Sequence, residues 1–71
     1  SMSSQKKSPI IGISANLLTI ENGPFQGRER AVVGYDYVQA VKLARGVPIL
    51  LPIMEEEQAI QQQIDLIDGL L

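Results

Sequence analysis

The chain has 71 residues, 45% of them hydrophobic, with 6 Lys+Arg against 8 Asp+Glu and neither Cys nor His. A chain of that length fits at most one small domain, which buries only ~60% of the surface its unfolded form exposes, and no disulfide or Cys/His metal site can compensate. The missing residue types exclude a Cys-His or Ser-His-Asp nucleophilic site and an ordinary zinc site within these residues, leaving carboxylates, Ser, Thr, Tyr and Lys for any chemistry.

A net charge of −2, a pI of about 4.8 and the scatter of Lys6, Lys7 and Arg28 give no electrostatic footprint for nucleic acid. No apolar run approaches the ~20 residues of a membrane span, and the polar N-terminus has no signal-peptide core. A cytoplasmic protein with no nucleic-acid or membrane partner is expected.

Residues 1–8, SMSSQKKS, hold no large apolar side chain except Met2, which predicts a disordered leader; Ser1-Met2 has the look of a cloning scar before the natural start. Pro9 through Ser14 form a short β-branched apolar run. Both alternating sets of side chains are apolar, as suits a parallel strand buried on both faces, and Gly12 within it points to close approach by another backbone or a helix. From Ala15 to about Val33 periodicity is lost and the turn-formers Asn16, Asn22-Gly23-Pro24 and Gly27 accumulate, so a long loop is expected, with Arg28, Glu29 and Arg30 as a solvated surface. Ala31-Val32-Val33 fits either a strand or a first helical turn.

Gly34 to Arg45 reads as a helix, because Tyr37, Ala40, Val41 and Ala44 recur on one face; Lys42 and Arg45 complement the dipole at its end, and Gly46 fits the C′ position. Val47 to Pro52 is a second buried strand, its Pro48 tolerable near a strand start. Glu55-Glu56-Glu57 then supplies negative charge at the N-terminus of a second helix marked by Ile60, Ile64 and Ile67. After Asp68-Gly69, Leu70-Leu71 resembles the opening of a third strand. Strands alternating with helices predict an α/β fold, a parallel sheet with helices on both faces, of which this βαβα portion is the N-terminal part.

In such sheets ligands bind beyond the carboxyl ends of the strands, here around Ser14-Ala15-Asn16 and Pro52-Ile53. Asn16 is the leading candidate for a polar substrate contact, against a local Asx cap; Ser14 serves equally as a strand-end cap. Of the two tyrosines at the helix start, Tyr37 falls on the apolar face and is expected in the core, which leaves Tyr35 as the second substrate-binding candidate. Three consecutive glutamates point in different directions and make a solvated helix start rather than a metal site. Neither a G-x-G-x-x-G nor a G-x-x-x-x-G-K-[ST] run is present, so phosphate cradling has no support and no cofactor is expected.

The succession PIIGIS, long loop, YDYVQAVKLARGVPILLP, polar helix and DGLL resembles the N-terminus of the class I glutamine amidotransferase-like γ-glutamyl hydrolases, the group containing γ-glutamyl-γ-aminobutyrate hydrolase. The stretch from Tyr37 to Pro52 is the most characteristic, and the resemblance runs over residues 9–71 as the N-terminal part of one domain. It implies a flavodoxin-like α/β domain, a γ-glutamyl small-molecule substrate, a cysteine nucleophile on a strand-to-helix elbow activated by a His that a carboxylate orients, and a Gly-rich oxyanion turn just after DGLL. All of these lie beyond Leu71, so no residue here inherits a catalytic role. The implied partners are the remainder of the parent domain and, compatibly, a second copy in a homo-oligomer. Periplasmic sugar-binding proteins and repressor effector domains share the same opening pattern. The Leu51-Pro52 strand end and the long first loop favour the hydrolase; an inactive flavodoxin-like domain is the third alternative.

Overall fold

The computed structural model describes residues 7–71. The expected leader falls for residues 1–6 outside the described residues; Lys7 and Ser8 are exposed and in no regular element. The elements follow in the order β1 (Ile10–Ser14), β2 (Asn16–Thr19), β3 (Glu29–Val32), α1 (Tyr35–Leu43), β4 (Val47–Leu51), α2 (Glu57–Leu66) and β5 (Gly69–Leu70). The expected α/β architecture is present: β4, β1 and β5 form a parallel sheet with β1 in the middle.

β1 holds that place because its side chains suit burial on both faces. Ile11 and Ile13 point toward α1, whose Val41 is buried against the sheet. Gly12 points the other way, where a Cβ would lie 2.6 Å from Leu51 Cδ1 and 3.0 Å from Ile67 Cδ1. The close approach expected at this glycine is therefore made by side chains and not by another backbone. α2 lies on that second face, near Ser14 and Leu51. At the start of the sheet the Ile10 N–H donates to Asp68 Oδ2 and the Asp68 N–H to the Ile10 carbonyl, both at 2.7 Å, which clips β5 to β1. Pro48 sits in β4 opposite Ile11; since the Val47 N–H donates to the Pro9 carbonyl, the proline's missing N–H falls on the outer edge of the sheet, where no ladder bond is lost.

The long loop expected between Ala15 and Val33 is instead a β-hairpin. β2 and β3 pair antiparallel, Asn16 opposite Val32 and Thr19 opposite Glu29. Its closure explains the glycines: Gly27, at φ 88°, donates to the Ile20 carbonyl while the Ile20 N–H donates to Arg28, the bonding of a bulge whose first residue is a left-handed glycine. Period-two alternation is missing because Leu17 and Leu18 are adjacent and both about half exposed, so neither face of β2 is specialised for a core. The Ala31-Val32 ambiguity resolves as strand.

α1 also corrects two expectations. The left-handed residue after the helix is Arg45, at φ 66°, and not Gly46. Arg45 N–H donates to the Lys42 carbonyl and Gly46 N–H to that of Val41, each at 2.9 Å, which completes a Schellman motif with arginine at C′. Gly46 is required for space: a Cβ there would meet Val41 Cγ1 at 3.0 Å and Ile11 Cγ1 at 3.1 Å. On the predicted apolar face Val41 is buried, but Tyr37, Ala40 and Ala44 are exposed; the two alanines border an open apolar groove shared with Pro9, Ile11 and Leu70. In α2, Ile60 and Ile64 remain 37% and 44% exposed, and Ile67 has left the helix as its C-cap. The Gln63 side-chain amide donates to the Pro52 carbonyl at 3.0 Å and draws the neighbouring side of the helix inward.

The buried apolar side chains among the described residues are Ile13, Ala15 and Val41. The accessible surface, 6050 Å² for 7.8 kDa, exceeds the roughly 4,400 Å² of a compact domain of that mass. With the faces and outer edges of the sheet this open, the apolar burial available to offset the ordering of its backbone is small.

The end of α1 gives a test with opposite signs at adjacent positions. Arg45→Gly relieves a left-handed strain of about 1–2 kcal/mol but adds about 0.5–1 kcal/mol of unfolded-state entropy, so a net gain of roughly 0.5 kcal/mol is expected. Gly46→Ala forces Val41 and Ile11 apart and should lower stability by about 1 kcal/mol. Denaturant midpoints of the folded protein measure both; a loss at Arg45→Gly would show that its side chain matters more than its φ.

Candidate functional site

The carboxyl ends of β1 and β5 open onto a cleft of about 240 Å³. Ile13, Val33 and Leu71 line it with apolar side chains and Ser14, Asn16 and Tyr37 with polar ones, and Gly34 completes the lining. Strand pairing puts these groups together. The Ala15 N–H donates to the Leu51 carbonyl at 2.9 Å, so β1 ends against β4 and the chain turns into the hairpin at Asn16. The Leu71 N–H donates to the Gly12 carbonyl at 2.8 Å, which seats Leu71 beside Ser14. The hairpin returns through Val32 opposite Asn16, and so delivers Val33 and Gly34 to the same cleft.

Gly34 is the N-cap of α1, with φ −65° and no side-chain cap. A Cβ on it would lie 2.7 Å from Asp36 Oδ1 and 3.2 Å from Tyr37 Cδ2. The glycine thus lets the Tyr37 ring fold back over the helix start and face the cleft. Tyr37 is 53% exposed, a correction to its expected place in the core. The apolar stripe misplaced it because Tyr37 lies in the first turn, beyond the end of the strands that bury Val41.

Of the two candidates named from sequence, Asn16 lines the cleft. Tyr35 begins α1 one residue after Gly34, is 65% exposed, and is not among the lining residues. Sequence reasoning passed over Val33, Gly34 and Tyr37; the available signal was a glycine immediately before a helix without any capping side chain.

The polar side chains of the cleft are a hydroxyl, an amide and a phenol. They can donate and accept hydrogen bonds and orient a polar ligand, but hold no nucleophile paired with a base. Among the described residues no group of three His, Cys, Asp or Glu side chains is placed to hold a metal ion, and no helix is long and apolar enough to cross a membrane.

A parallel α/β sheet with a polar cleft at its carboxyl end defines the class, and comparison with known proteins gives the family. Residues 9–71 match the family model Peptidase C26, of the class I glutamine amidotransferase-like superfamily, and the chain belongs to that family. It is similar to Protein NtpR of Enterococcus hirae, 41% identical over 63 residues that make up 89% of this chain and 26% of the relative. The chain therefore spans about a quarter of that relative's length. No solved structure gave a significant match.

If Gly34 positions the Tyr37 ring, Gly34→Ala will displace it while leaving α1 intact, since φ −65° suits alanine. A crystal structure of the variant tests this; an unmoved ring would show that the close contact is absorbed by Asp36 alone.

Proposed function

We propose that these residues form the N-terminal part of a single hydrolase domain that cleaves γ-glutamyl amides through a cysteine nucleophile supplied by the chain after Leu71, in the cytoplasm. Family membership supports a hydrolase or amidotransferase-like activity, and the observation that carries the reading further is the cleft. It lies beyond the carboxyl ends of parallel strands, where open α/β sheets bind ligands, and it is polar without being charged.

Leu71 lines the cleft, so chain continuing from it emerges directly at the site. A Gly-rich turn there would aim backbone N–H groups at the carbonyl oxygen of a bound γ-glutamyl amide. The thiolate attacks that carbonyl, the amine leaves with a proton from the His, and a γ-glutamyl thioester remains. Water activated by the same His then adds to the thioester, releasing glutamate and restoring the thiol. The residues described here bind and orient, through the Asn16 amide and the Tyr37 phenol that line the cleft.

The full-length protein should release glutamate from γ-glutamyl amides and lose that activity on alkylation with iodoacetamide. Asn16→Ala should raise KM about tenfold, the equivalent of ~1.4 kcal/mol, with kcat little changed. Alkylation-resistant hydrolysis would remove the cysteine mechanism, and an unchanged KM would remove Asn16 from the substrate site. The isolated 71 residues should show no cooperative thermal transition by circular dichroism, in contrast to the full-length protein. A sharp transition in the fragment would mean that its small core suffices.

A further inference from the structure

The cleft offers hydrogen-bonding and apolar side chains but no charged one. Ser14, Asn16 and Tyr37 are its polar lining, and Ile13, Val33 and Leu71 its apolar lining. The described cations stand elsewhere. Arg28 and Arg30 line a separate pocket with Phe25, Lys42 lies in the last turn of α1 with Arg45 beyond it, and Lys7 precedes β1, at the end of that strand opposite the cleft. The charge that does stand against the lining is negative. Asp36, in the first turn of α1, has its Oδ1 2.7 Å from where a Cβ of Gly34 would lie. An anion approaching the start of this helix therefore meets a carboxylate already in place.

A γ-glutamyl amide has two unlike halves. The glutamyl half ends in an ammonium and a carboxylate on one carbon, and enclosing either without a counter-charge is costly. The other half is the substituent on the amide nitrogen, which differs from one leaving amine to the next. On the hydrolase reading the chain after Leu71 meets the scissile carbonyl, so that carbonyl sits at the Leu71 end of the cleft. Backbone bonding orders the rest of the lining. The Ser14 N–H donates to the Leu71 carbonyl at 3.4 Å, Asn16 follows two residues later, and Asn16 pairs with Val32, the neighbour of Val33. One half of the substrate runs from the carbonyl along this line toward Val33, and charge selects which. The carboxylate of the glutamyl half would meet Asp36 and no cation, whereas a neutral substituent meets hydrogen-bonding groups and an aliphatic side chain.

We propose that the cleft is the leaving-amine site, that it takes amides whose nitrogen carries a neutral, partly aliphatic substituent, and that Val33 is the residue that selects it. This deepens the hydrolase reading and rests on it. Val33 is half-buried and lies between β3 and α1 in no regular element, so its side chain can be exchanged without disturbing a strand or a helix.

Steady-state kinetics of the full-length protein on two pairs of amides test the proposal. γ-Glutamylglycinamide and γ-glutamylglycine match in size and differ by one charge on the leaving amine; γ-glutamyl-n-butylamide and γ-glutamylmethylamide differ in aliphatic length. For wild type, kcat/KM should be roughly tenfold higher for the neutral member of the first pair and for the longer member of the second, the discrimination expected of a single pocket contact. Val33→Ala should remove most of the preference for the butylamide, and Val33→Lys should turn the first preference toward γ-glutamylglycine. Ratios taken on one enzyme sample do not depend on how much of it is folded. Wild-type activity on γ-glutamylglycine equal to or above that on the glycinamide would overturn the proposal and leave the hydrolase reading standing. So would a Val33→Ala variant that slows both alkylamides equally, or a Val33→Lys variant with the wild-type charge preference. Failure of wild type to hydrolyse any of the four amides would overturn both.

Discussion

The rest of the fold depends on the pairing of β1 along both of its edges. Ile10 to Ser14 meet Val47 to Leu51 on one side, and Ile11 and Gly12 meet Gly69 and Leu70 on the other. A central parallel strand must also be covered on both faces, and the sequence of β1 divides that requirement. Isoleucines fill the side toward α1. On the other side Gly12 leaves room for Leu51 and Ile67 to close over the backbone. A larger residue at position 12 would hold off both elements that define the second face, so the glycine governs layer spacing although its φ is ordinary.

The same pairing places the cleft. β1 stops where Ala15 bonds across to Leu51, and the chain leaves the sheet there as the hairpin; β5 reaches the same level through Leu71. Both roots of the hairpin, Asn16 and Val33, consequently stand at the cleft, while its closed end lies away from the sheet. That end is organised locally, by the left-handed Gly27 and by Arg28, whose guanidinium carbon lies 5.3 Å from the centre of the Phe25 ring. Changes at the closed end are therefore separated from the site by two paired strands, whereas changes at its roots are made directly in the wall.

Much of this was legible in the sequence where a signal had one physical source. β1 and β4 could be recognised because apolar runs bounded by proline or glycine have few other uses, and the helices because their apolar residues recur with the helical period. The hairpin was hidden because pattern recognition relies on burial, and a strand pair whose leucines face water on both sides leaves no alternating trace. Gly46 and Arg45 show a related failure. A glycine after a helix usually supplies a left-handed backbone, yet here the sheet needs the space beneath Gly46 more, and the left-handed residue falls one position earlier on an arginine. Tyr37 was misplaced because periodicity gives the face of a helix but not where along its axis the sheet ends. The place of Asn16 at the cleft was legible because it follows directly on the carboxyl end of the central parallel strand.

The cleft's chemistry bears on the absence of cysteine and histidine. A site required to cut an amide needs a nucleophile, a base and oxyanion donors held within hydrogen-bond reach of one carbonyl. The residues that line this cleft supply none of the first two, but they supply polar groups at the ends of paired strands and at a helix start. That division suits recognition: a hydroxyl, an amide and a phenol each donate and accept hydrogen bonds and can orient a polar ligand. In a member of the Peptidase C26 family whose chain spans about a quarter of a relative's length, the missing residue types are a property of these residues and say nothing against an enzyme.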